Sequence, residues 1–303
     1  MIRTNIGYIS RIFHWLFTTI SLNIFIALAV ILLTGCSHSG EHNSSDSSLK
    51  KIQEPTNVVL HSSEIIFEKL NPARGDQSPQ AGTIWGDRNG TEATGFLAKF
   101  VDGFSSPPHI HNVTYRAVVI GGLIHNDDPE AENMWMKPGS FWTQPVGESH
   151  ITSAKGEGNI ALVEIDKGPY LVKPINKAFD NGERPINIDI SNVVWLDNEK
   201  TNWVSSNSNA QISFLLKNED FRSLFVKLPK GYSGTIKTEG TVLHSVIIQG
   251  ELNYLVSQEN ETKVLDPGSY FGSTSKATHT ISNTKNDVVL IYIRTNGSIE
   301  INE

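Results

Sequence analysis

Short runs of hydrophobic residues alternate with polar turns along most of this chain. Runs rich in Val, Ile, Phe, Tyr and Thr, such as AVVI and VVLIYI, are separated by segments rich in Gly, Asn, Asp and Pro, such as HNDDPEAEN. This spacing is typical of β-sandwiches and β-barrels. No long segment shows the 3.6-residue period of an amphipathic helix. The pattern therefore predicts an all-β fold.

The first 35 residues follow a different pattern. A segment that contains Arg3 and Arg11 but no acidic residue precedes the uncharged run LFTTISLNIFIALAVILLTG. A positively charged start followed by an apolar stretch is typical of a secretory signal peptide. The apolar stretch is longer than usual for such a region, so a retained transmembrane helix is the alternative.

Cys36 favours the signal peptide. It is the only cysteine of the chain, so it has no partner for an intrachain disulfide. It ends the sequence LTGC directly after the apolar run, and this resembles the bacterial lipobox. The resemblance implies that residues 1–35 are a lipoprotein signal peptide and that diacylated Cys36 anchors the protein to a membrane, for which two acyl chains suffice. In a Gram-negative cell, Ser37 after the cysteine would favour the outer membrane, facing the periplasm.

Residues 36–56 form the next distinct segment. They are Ser-rich and polar, with Leu49 and Ile52 as the only large apolar side chains. Such a composition does not bury enough apolar surface to fold. We therefore expect a flexible tether between the anchor and the folded part.

The rest of the chain contains an internal repeat. The segment GFLAKFVDGFSSPPHIHNVTYRAVVIGG aligns without a gap with SLFVKLPKGYSGTIKTEGTVLHSVIIQG, which places Gly103 opposite Gly231. Further on, KPGSFW matches DPGSYF after a single insertion in the second copy. Unrelated β-rich segments do not keep a steady offset across several landmarks. The repeat predicts a duplicated domain, with one copy in residues 57–172 and the other in residues 173–303.

The charge of the chain counts against one class of partner. The formal net charge is −7 at pH 7, and there is no run rich in Lys and Arg. Binding to a nucleic-acid backbone requires clustered basic residues. We therefore expect no nucleic-acid partner.

Two neighbouring histidines are the first candidates for chemistry. His109 and His111 occur in the sequence SPPHIHN, one residue apart at the start of an apolar run. Residues at this spacing share one face of a strand. His150 follows about forty residues later, after several turn residues. A third imidazole beside the first two would complete a three-nitrogen metal site.

The spacing around these histidines resembles the two motifs of the cupin superfamily, G-x5-H-x-H-x3,4-E-x6-G and G-x5-P-x-G-x2-H-x3-N. The first motif runs from Gly103 to Gly122, and the second begins at Gly139. Tyr115 stands in place of the glutamate, and Ala154 in place of the final asparagine. The chain also resembles a group of cupins that carry SPPHxHNVTYR and GSFWTQPxGExHIT strings. More distantly, it resembles anti-sigma-factor cupins and three-histidine diketone-cleaving dioxygenases.

This resemblance implies two tandem cupin barrels (double-stranded β-helix, jelly-roll) after the N-terminal segment. The first barrel would hold one divalent transition metal, Fe, Zn, Mn or Ni, through His109, His111 and His150. The residues leave the metal open, because imidazole suits several of these ions. A homodimer is also expected, since dimers through barrel edges are common in cupins.

The second copy has lost most of this site. Lys237, Glu239 and Leu243 stand where the first copy has the two neighbouring histidines and Tyr115, and of the four positions only His279 is kept. Lys237 could occupy the metal position and pair with Glu239. We expect a degenerate barrel with a structural role.

Tyr115 and Glu148 are the candidates for catalytic roles. A neutral phenol, with a pKa near 10, is a poor metal ligand beside a carboxylate but a good hydrogen-bond donor to a substrate oxygen. The alternative is that Tyr115 only packs in the barrel. Glu148 could point inward as a base or lie in solvent as a loop acid. His125, in the turn-rich segment, is expected to be exposed, and Arg116 is expected to face outward.

Three functions agree with these residues. The first is a metal-dependent enzyme, such as a dioxygenase, isomerase or hydrolase, that acts on an anionic or oxygenated small molecule. The second is a non-catalytic metal-dependent module that binds or senses a small molecule at the cell envelope. The third is a structural lipoprotein with a vestigial site. The complete motif spacing in the first copy favours the first two.

Overall fold

β-Strands make up most of the regular structure. A computed structural model describes residues 57–257 and 259–303. The predicted signal peptide, Cys36 and the tether lie outside these residues. No helix in the described part of the chain is long and apolar enough to span a membrane. The strands of the first half are β1 (Asn57–Leu60), β2 (Glu68–Lys69), β3 (Gln80–Trp85), β4 (Thr94–Phe100), β5 (His109–His111), β6 (Tyr115–Asp127), β7 (Phe141–Gln144), β8 (Ile151–Ile165) and β9 (Val172–Pro174).

The second half is built in the same way, and the all-β prediction is confirmed. Short 3₁₀ helices in the described residues are Ser62–Glu64, Pro72–Gln77, Ile175–Lys177 and Ile190–Asn192. The strands of the second half are β10 (Ile186–Ile188), β11 (Gln211–Lys217), β12 (Arg222–Leu228), β13 (Ser233–Thr238), β14 (Leu243–Gln249), β15 (Leu252–Val256), β16 (Glu261–Leu265), β17 (Tyr270–Ser273), β18 (Ala277–Ser282), β19 (Val289–Thr295) and β20 (Ile299–Asn302).

The strands form three sheets and one two-stranded ribbon. One sheet has seven strands, in the order β10-β7-β6-β8-β4-β3-β2, of which all but β10 come from the first half, and the first half also forms the ribbon β5-β9. The second half contributes a five-stranded sheet, in the order β16-β15-β18-β13-β20. The remaining sheet has six strands, in the order β1-β17-β14-β19-β12-β11. β6 and β8 are the long strands of the first barrel and pair from Tyr115 opposite Ile165 to Asp127 opposite Ile151.

The two faces of β6 pack into two different hydrophobic clusters. Tyr115, Ala117 and Val119 belong to the cluster inside the first barrel. Val118 and Ile120 point the other way, into a cluster shared with the second half. Because both faces are buried, the run AVVI needs no polar residue in alternation. The second half contributes to the shared cluster Phe225, Val246, Ile248, Tyr270, Leu290 and Tyr292.

Two edge strands are exchanged between the halves. β1 pairs with β17 of the second half, with Asn57 opposite Ser273. β10 pairs with β7 of the first half, with Ile186 opposite Thr143. Leu60 and Ile188 occupy equivalent positions of the repeat, because they have the same separation as Gly103 and Gly231. Their partners, Tyr270 and Phe141, are equivalent residues of DPGSYF and KPGSFW. The exchange is therefore reciprocal, and each half completes a sheet of the other.

Each exchanged strand is followed by a hydrogen bond to a serine of the other half, and the two bonds are equivalent in the repeat. The backbone N–H of Ser62 donates to the hydroxyl of Ser269 at 3.0 Å, and that of Ile190 donates to the hydroxyl of Ser140 at 3.1 Å. The predicted boundary between residues 172 and 173 stays a prediction, but sheet pairing crosses it in both directions.

A buried network of ion pairs joins the seven-stranded sheet to the six-stranded sheet. Arg116 points away from the barrel interior, as expected from the sequence, but it is only 3% exposed because the second half covers it. Its Nε lies 2.8 Å from Oε1 of Glu164, and Nη1 of Arg294 lies 3.2 Å from the same oxygen. Asp166 pairs with both arginines. The ring of Phe221 lies 4.4 Å from the guanidinium carbon of Arg116 and 3.8 Å from that of Arg294.

We expect Glu164→Ala to destabilise the protein by about 3–5 kcal/mol, because it leaves two buried guanidinium groups with too little negative charge. Urea unfolding followed by circular dichroism measures this change. Lys276→Met is the matched control: it breaks an exposed pair with Glu239 and should cost less than about 1 kcal/mol. Equal losses for the two variants would show that the network adds no stability.

Candidate metal centre

Backbone pairing brings the three predicted histidines together. His109 and His111 lie on β5, and His150 directly precedes β8. The N–H of His109 donates to the carbonyl of His150 at 3.0 Å, and the reverse bond is also 3.0 Å. This pair of bonds fixes the two chain segments side by side. One candidate ligand atom from each histidine lies within 4.8 Å of the others, so the cluster could hold a metal ion.

Burial keeps these imidazoles neutral, which is the form that binds metals. His111 is 2% exposed and His150 is fully buried. Burial lowers the pKa of His150 to about 3. It also lowers the pKa of His111 well below the usual value, with further lowering from the other two histidines, and it lowers the pKa of His109.

Backbone carbonyls orient two of the rings. Nδ1 of His109 lies 2.9 Å from the carbonyl oxygen of Pro107, and Nδ1 of His150 lies 3.4 Å from that of Glu148. A carbonyl only accepts, so each Nδ1 must carry the proton, and Nε2 is left with its lone pair. Nδ1 of His111 is buried and has no hydrogen-bond partner among the described residues. A donor set of three neutral imidazoles therefore fits a divalent transition metal.

Tyr115 belongs to a chain of neutral hydrogen bonds next to the cluster. Its hydroxyl donates to Oδ1 of Asn126 at 2.9 Å and lies 3.4 Å from Nε2 of His150. The same Oδ1 accepts from the hydroxyl of Thr152 at 2.7 Å, and the Asn126 amide donates to Oε1 of Gln144 at 2.9 Å. Burial raises the pKa of Tyr115, so the phenol stays protonated. Its predicted donation to a substrate oxygen stays a prediction, since here the proton goes to Asn126.

Tyr170 is a site residue that the sequence analysis missed. Its ring stacks on His111, with centroids 4.5 Å apart, and its hydroxyl lies 3.3 Å from Nε2 of the same histidine. Burial raises the pKa of Tyr170 well above its usual value. Tyr170 lies outside both histidine motifs and precedes β9, which pairs with β5. Only this non-local pairing brings it to the site, so no local sequence signal could have identified it.

Glu148 lies away from the histidine cavity. Its side chain lines a separate depression together with Phe179 and Arg184. Only its backbone carbonyl approaches the cluster, through the contact with His150. Burial raises the pKa of its carboxyl group. The catalytic role predicted for Glu148 stays a prediction, and this placement counts against it.

A largely apolar cavity adjoins the cluster. Its volume is about 460 Å³, and His109, His111, Tyr115 and Tyr170 form part of its wall. Cavities of this size hold small molecules. Trp142 lines the cavity, whereas its neighbour Phe141 packs in the cluster between the halves. Further apolar wall residues are Leu70, Phe96, Ala98, Phe100, Phe104, Val163 and Val172.

His125 is not exposed, and this sequence expectation was wrong. Its side chain is fully buried, and neither ring nitrogen has a hydrogen-bond partner among the described residues. The expectation placed it in a turn, but it lies within β6, opposite Ser153 of β8. Two register shifts in β6, near Gly121, also change the alternation of inward and outward positions. Asn126 therefore turns toward the barrel interior, while His125 lies near Trp135, with ring centroids 6.1 Å apart.

The second barrel keeps a histidine without a metal cluster. The structure describes no second group of three potential ligands among residues 57–257 and 259–303. Nδ1 of His279 lies 2.8 Å from the hydroxyl of Tyr254, and Nε2 lies 3.2 Å from that of Ser273. Both ring nitrogens are therefore occupied by protein hydroxyl groups, which supports the predicted structural role.

Lys237 and Glu239 do not pair with each other, contrary to the sequence expectation. Lys237 lies 3.9 Å from Glu300, and Glu239 pairs with Lys276. The side chains of Lys237 and Glu239 are 49% and 62% exposed. They therefore point to solvent instead of replacing a metal inside the barrel.

Comparison with known structures agrees with this fold. A protein from Nostoc punctiforme described as a "putative dioxygenase" superimposes with a TM-score of 0.58 at 12% identity, covering 80% of this chain and 82% of that one. Oxalate decarboxylase from Lactobacillus farciminis, in a formate complex, gives 0.54 at 10% identity, covering 81% and 88%. AerE from Microcystis aeruginosa gives 0.51 at 14% identity, covering 76% and 96%. No curated protein matches the sequence.

The repeated barrels and the three-histidine cluster define the chain as a bicupin of the cupin superfamily, as the sequence motifs implied. Within that superfamily, residues 58–302 match the family described as "Domain of unknown function (DUF4437)". The chain belongs to this family.

We expect acid to destabilise the metal-free protein through these histidines. An unfolded histidine takes up a proton near pH 6.5, whereas folded His150 resists until about pH 3. Stability should therefore fall as the pH is lowered from 6.5 toward 3. His150→Gln removes one such group, so its unfolding free energy should fall less steeply, by about 1.4 kcal/mol per pH unit between pH 6 and pH 4.

Urea titrations in the presence of a chelator at pH 8, 7, 6, 5 and 4 measure both profiles. Above pH 7, the difference between the two proteins should be constant, which provides the internal control. Parallel profiles down to pH 4 would show that His150 is not held neutral by the fold.

Proposed function

We propose that this protein is a metal-dependent cupin enzyme that acts on an oxygenated small molecule, with dioxygenation as the favoured reaction. The observation that carries the proposal is a cluster of three neutral imidazoles beside an apolar cavity of small-molecule size, with His109 and His111 in the cavity wall. The likeness to a "putative dioxygenase" and to an oxalate decarboxylase supports the scaffold only, because identity is 12% or lower.

His109, His111 and His150 would hold the ion, which we expect to be Fe, Zn, Mn or Ni. Bound there, the ion would supply Lewis-acid chemistry and, in the case of Fe or Mn, electron transfer toward dioxygen. The backbone carbonyl groups of Pro107 and Glu148 orient the imidazole rings of His109 and His150, respectively. The apolar wall excludes water from the cavity, which strengthens electrostatic interactions with a bound substrate.

The chemistry of the cavity wall favours oxygenation over hydrolysis or isomerisation. Among the described residues, no carboxylate lines the cavity. Tyr115 and Tyr170 both have raised pKa values and stay protonated. Hydrolysis and isomerisation generally need a positioned base, and the wall offers none apart from the histidines assigned to the ion. A substrate that enters as an enolate or phenolate has already lost its proton and needs no such base.

A metal-dependent binding or sensing module is the second candidate. The observation that favours it is the hydrogen-bond chain from Tyr115 through Asn126 to Gln144, in which the phenol proton is already engaged. A closed network of this kind holds side chains rigidly and suits recognition. Binding without turnover would distinguish this function from the enzyme.

We further propose that lipidated Cys36 anchors the protein in the cell envelope, in the outer membrane facing the periplasm if the cell is Gram-negative. The LTGC sequence after an apolar run supports this placement. The homodimer expected from the cupin resemblance stays a prediction.

We expect the full-length chain, purified in detergent and reconstituted, to bind about one equivalent of metal per chain. His109→Ala and His150→Ala should each lower the bound metal at least tenfold, because two imidazoles hold an ion far more weakly than three. Elemental analysis after gel filtration measures the stoichiometry. His61→Ala is the matched control, since His61 lies on the loop after β1 and outside the cluster, and it should bind as much metal as the wild type.

Dioxygen uptake in the presence of β-dicarbonyl and phenolic compounds then tests the reaction. Uptake by the Fe-loaded or Mn-loaded protein that is lost in both histidine variants would support the oxygenase. Metal retained in both variants would overturn the site. Metal bound at the site without uptake would favour the binding module.

A further inference from the structure

We infer that the histidine cavity takes an amphipathic anion, with an aromatic or other apolar body inside the cavity and one carboxylate or comparable group held at the rim by Arg74. The reacting end of this ligand rests on the proposed function. The anion site at Arg74 stands on separate observations and is testable without metal.

The cavity wall selects an apolar body. Phe96, Phe100, Phe104 and Trp142 supply four of its aromatic faces, and Val163 supplies an aliphatic one. Apolar molecules gain free energy in proportion to the area they bury against such a wall, and aromatic rings gain further from stacking or edge contacts. A volume of about 460 Å³ accommodates a molecule with one or two rings.

Arg74 is the only Lys, Arg, Asp or Glu among the residues that line the cavity. It lies on the 3₁₀ helix Pro72–Gln77 and is partly exposed. Its Nη2 donates to the carbonyl of Ser105 at 3.3 Å, and its guanidinium carbon lies 4.9 Å from the centre of the Phe104 ring. These two contacts hold the Arg74 guanidinium at the rim of the cavity.

The guanidinium keeps donors available for an anion. Arginine has five N–H donors, and the Ser105 carbonyl uses one of them. No salt bridge to Arg74 occurs among the described residues, whereas Asp76 on the same 3₁₀ helix pairs with Lys69 at 3.0 Å. A planar guanidinium forms paired hydrogen bonds with a carboxylate. The rim therefore offers a built anion contact next to an apolar wall.

The chain limits the distance between this contact and the histidines. His109 lies four positions after Ser105, which Arg74 contacts. A fully extended chain of that length spans at most about 14 Å between Cα atoms. With its carboxylate at Arg74, a ligand of about two fused rings extends into the same cavity that His109 and His111 line. This geometry points to a bifunctional substrate, with an oxygen at the reacting end and the anion at the other.

The test uses a matched pair of probes, 2-naphthoate and its uncharged analogue 2-naphthamide. Isothermal titration calorimetry with the full-length chain in detergent, corrected by titration of empty micelles, gives both affinities. We expect the wild type to bind the anion about fivefold more tightly than the amide, since a partly exposed ion pair is worth up to about 1 kcal/mol. Arg74→Gln should bind both probes equally, with unchanged affinity for the amide.

Two further variants locate the binding. Lys173→Gln removes a nearby exposed charge on β9 that does not line this cavity, so it should keep the fivefold preference. Ala98→Phe fills the cavity from β4 and should weaken both probes at least tenfold, and circular dichroism and thermal unfolding verify its fold. If Ala98→Phe does not fold, Ala98→Leu replaces it.

Each titration is run with metal-free and with metal-loaded protein. A preference that Arg74→Gln abolishes in both forms supports the anion site, even if the metal site or the oxygenase proposal fails. A preference that survives Arg74→Gln and disappears with the metal would place the anion on the ion, which overturns the role of Arg74 and leaves the proposed function intact. Unchanged binding by the cavity-filling variant would overturn the cavity as the binding site.

Discussion

The reciprocal exchange of β1 and β10 is the constraint on which the rest of the structure depends. Each exchanged strand extends a sheet of the other half, through β17 in one case and β7 in the other. The sheets of the two halves share one hydrophobic cluster. Asp166 and Arg294, which occupy equivalent positions of the repeat, pair across this interface. The duplication has thus diverged into opposite charges where two like copies would have repelled each other.

The same scaffold gives an open cavity in one half and a filled core in the other. Ala98 and Ala161 line the interior of the first barrel, and the repeat places Val226 and Val289 at the equivalent positions of the second. The counterpart of Asn126 is Tyr254, whose larger side chain reaches His279. Each larger side chain removes volume from the second interior. The cavity therefore results from small residues at defined positions as much as from the histidines.

The sequence predicted the features that depend on spacing along the chain. The repeat offset identified the two copies, and the motif identified the histidines that the structure brings together. The sequence expectations failed where strand register or contacts with the other half determine whether a side chain is buried. His125 was expected in an exposed turn but is buried within β6, which continues to Asp127, and the burial of Arg116 depends on the second half. Local patterns do not contain this information, because a bulge and an exchanged strand are set by pairing with distant residues.

Neutral groups hold the three-histidine cluster in place, and this determines the charge that a bound metal ion would keep. Backbone bonds fix His109 to His150, and Tyr115, Asn126 and Gln144 form the supporting hydrogen-bond chain where the cupin motif has a carboxylate. Burying a carboxylate without a close partner is costly, whereas neutral amides and phenols are satisfied by one another. A divalent ion bound to three neutral imidazoles would therefore keep its full charge inside an apolar wall. Such a site favours a ligand that carries negative charge into the cavity and an apolar body along with it.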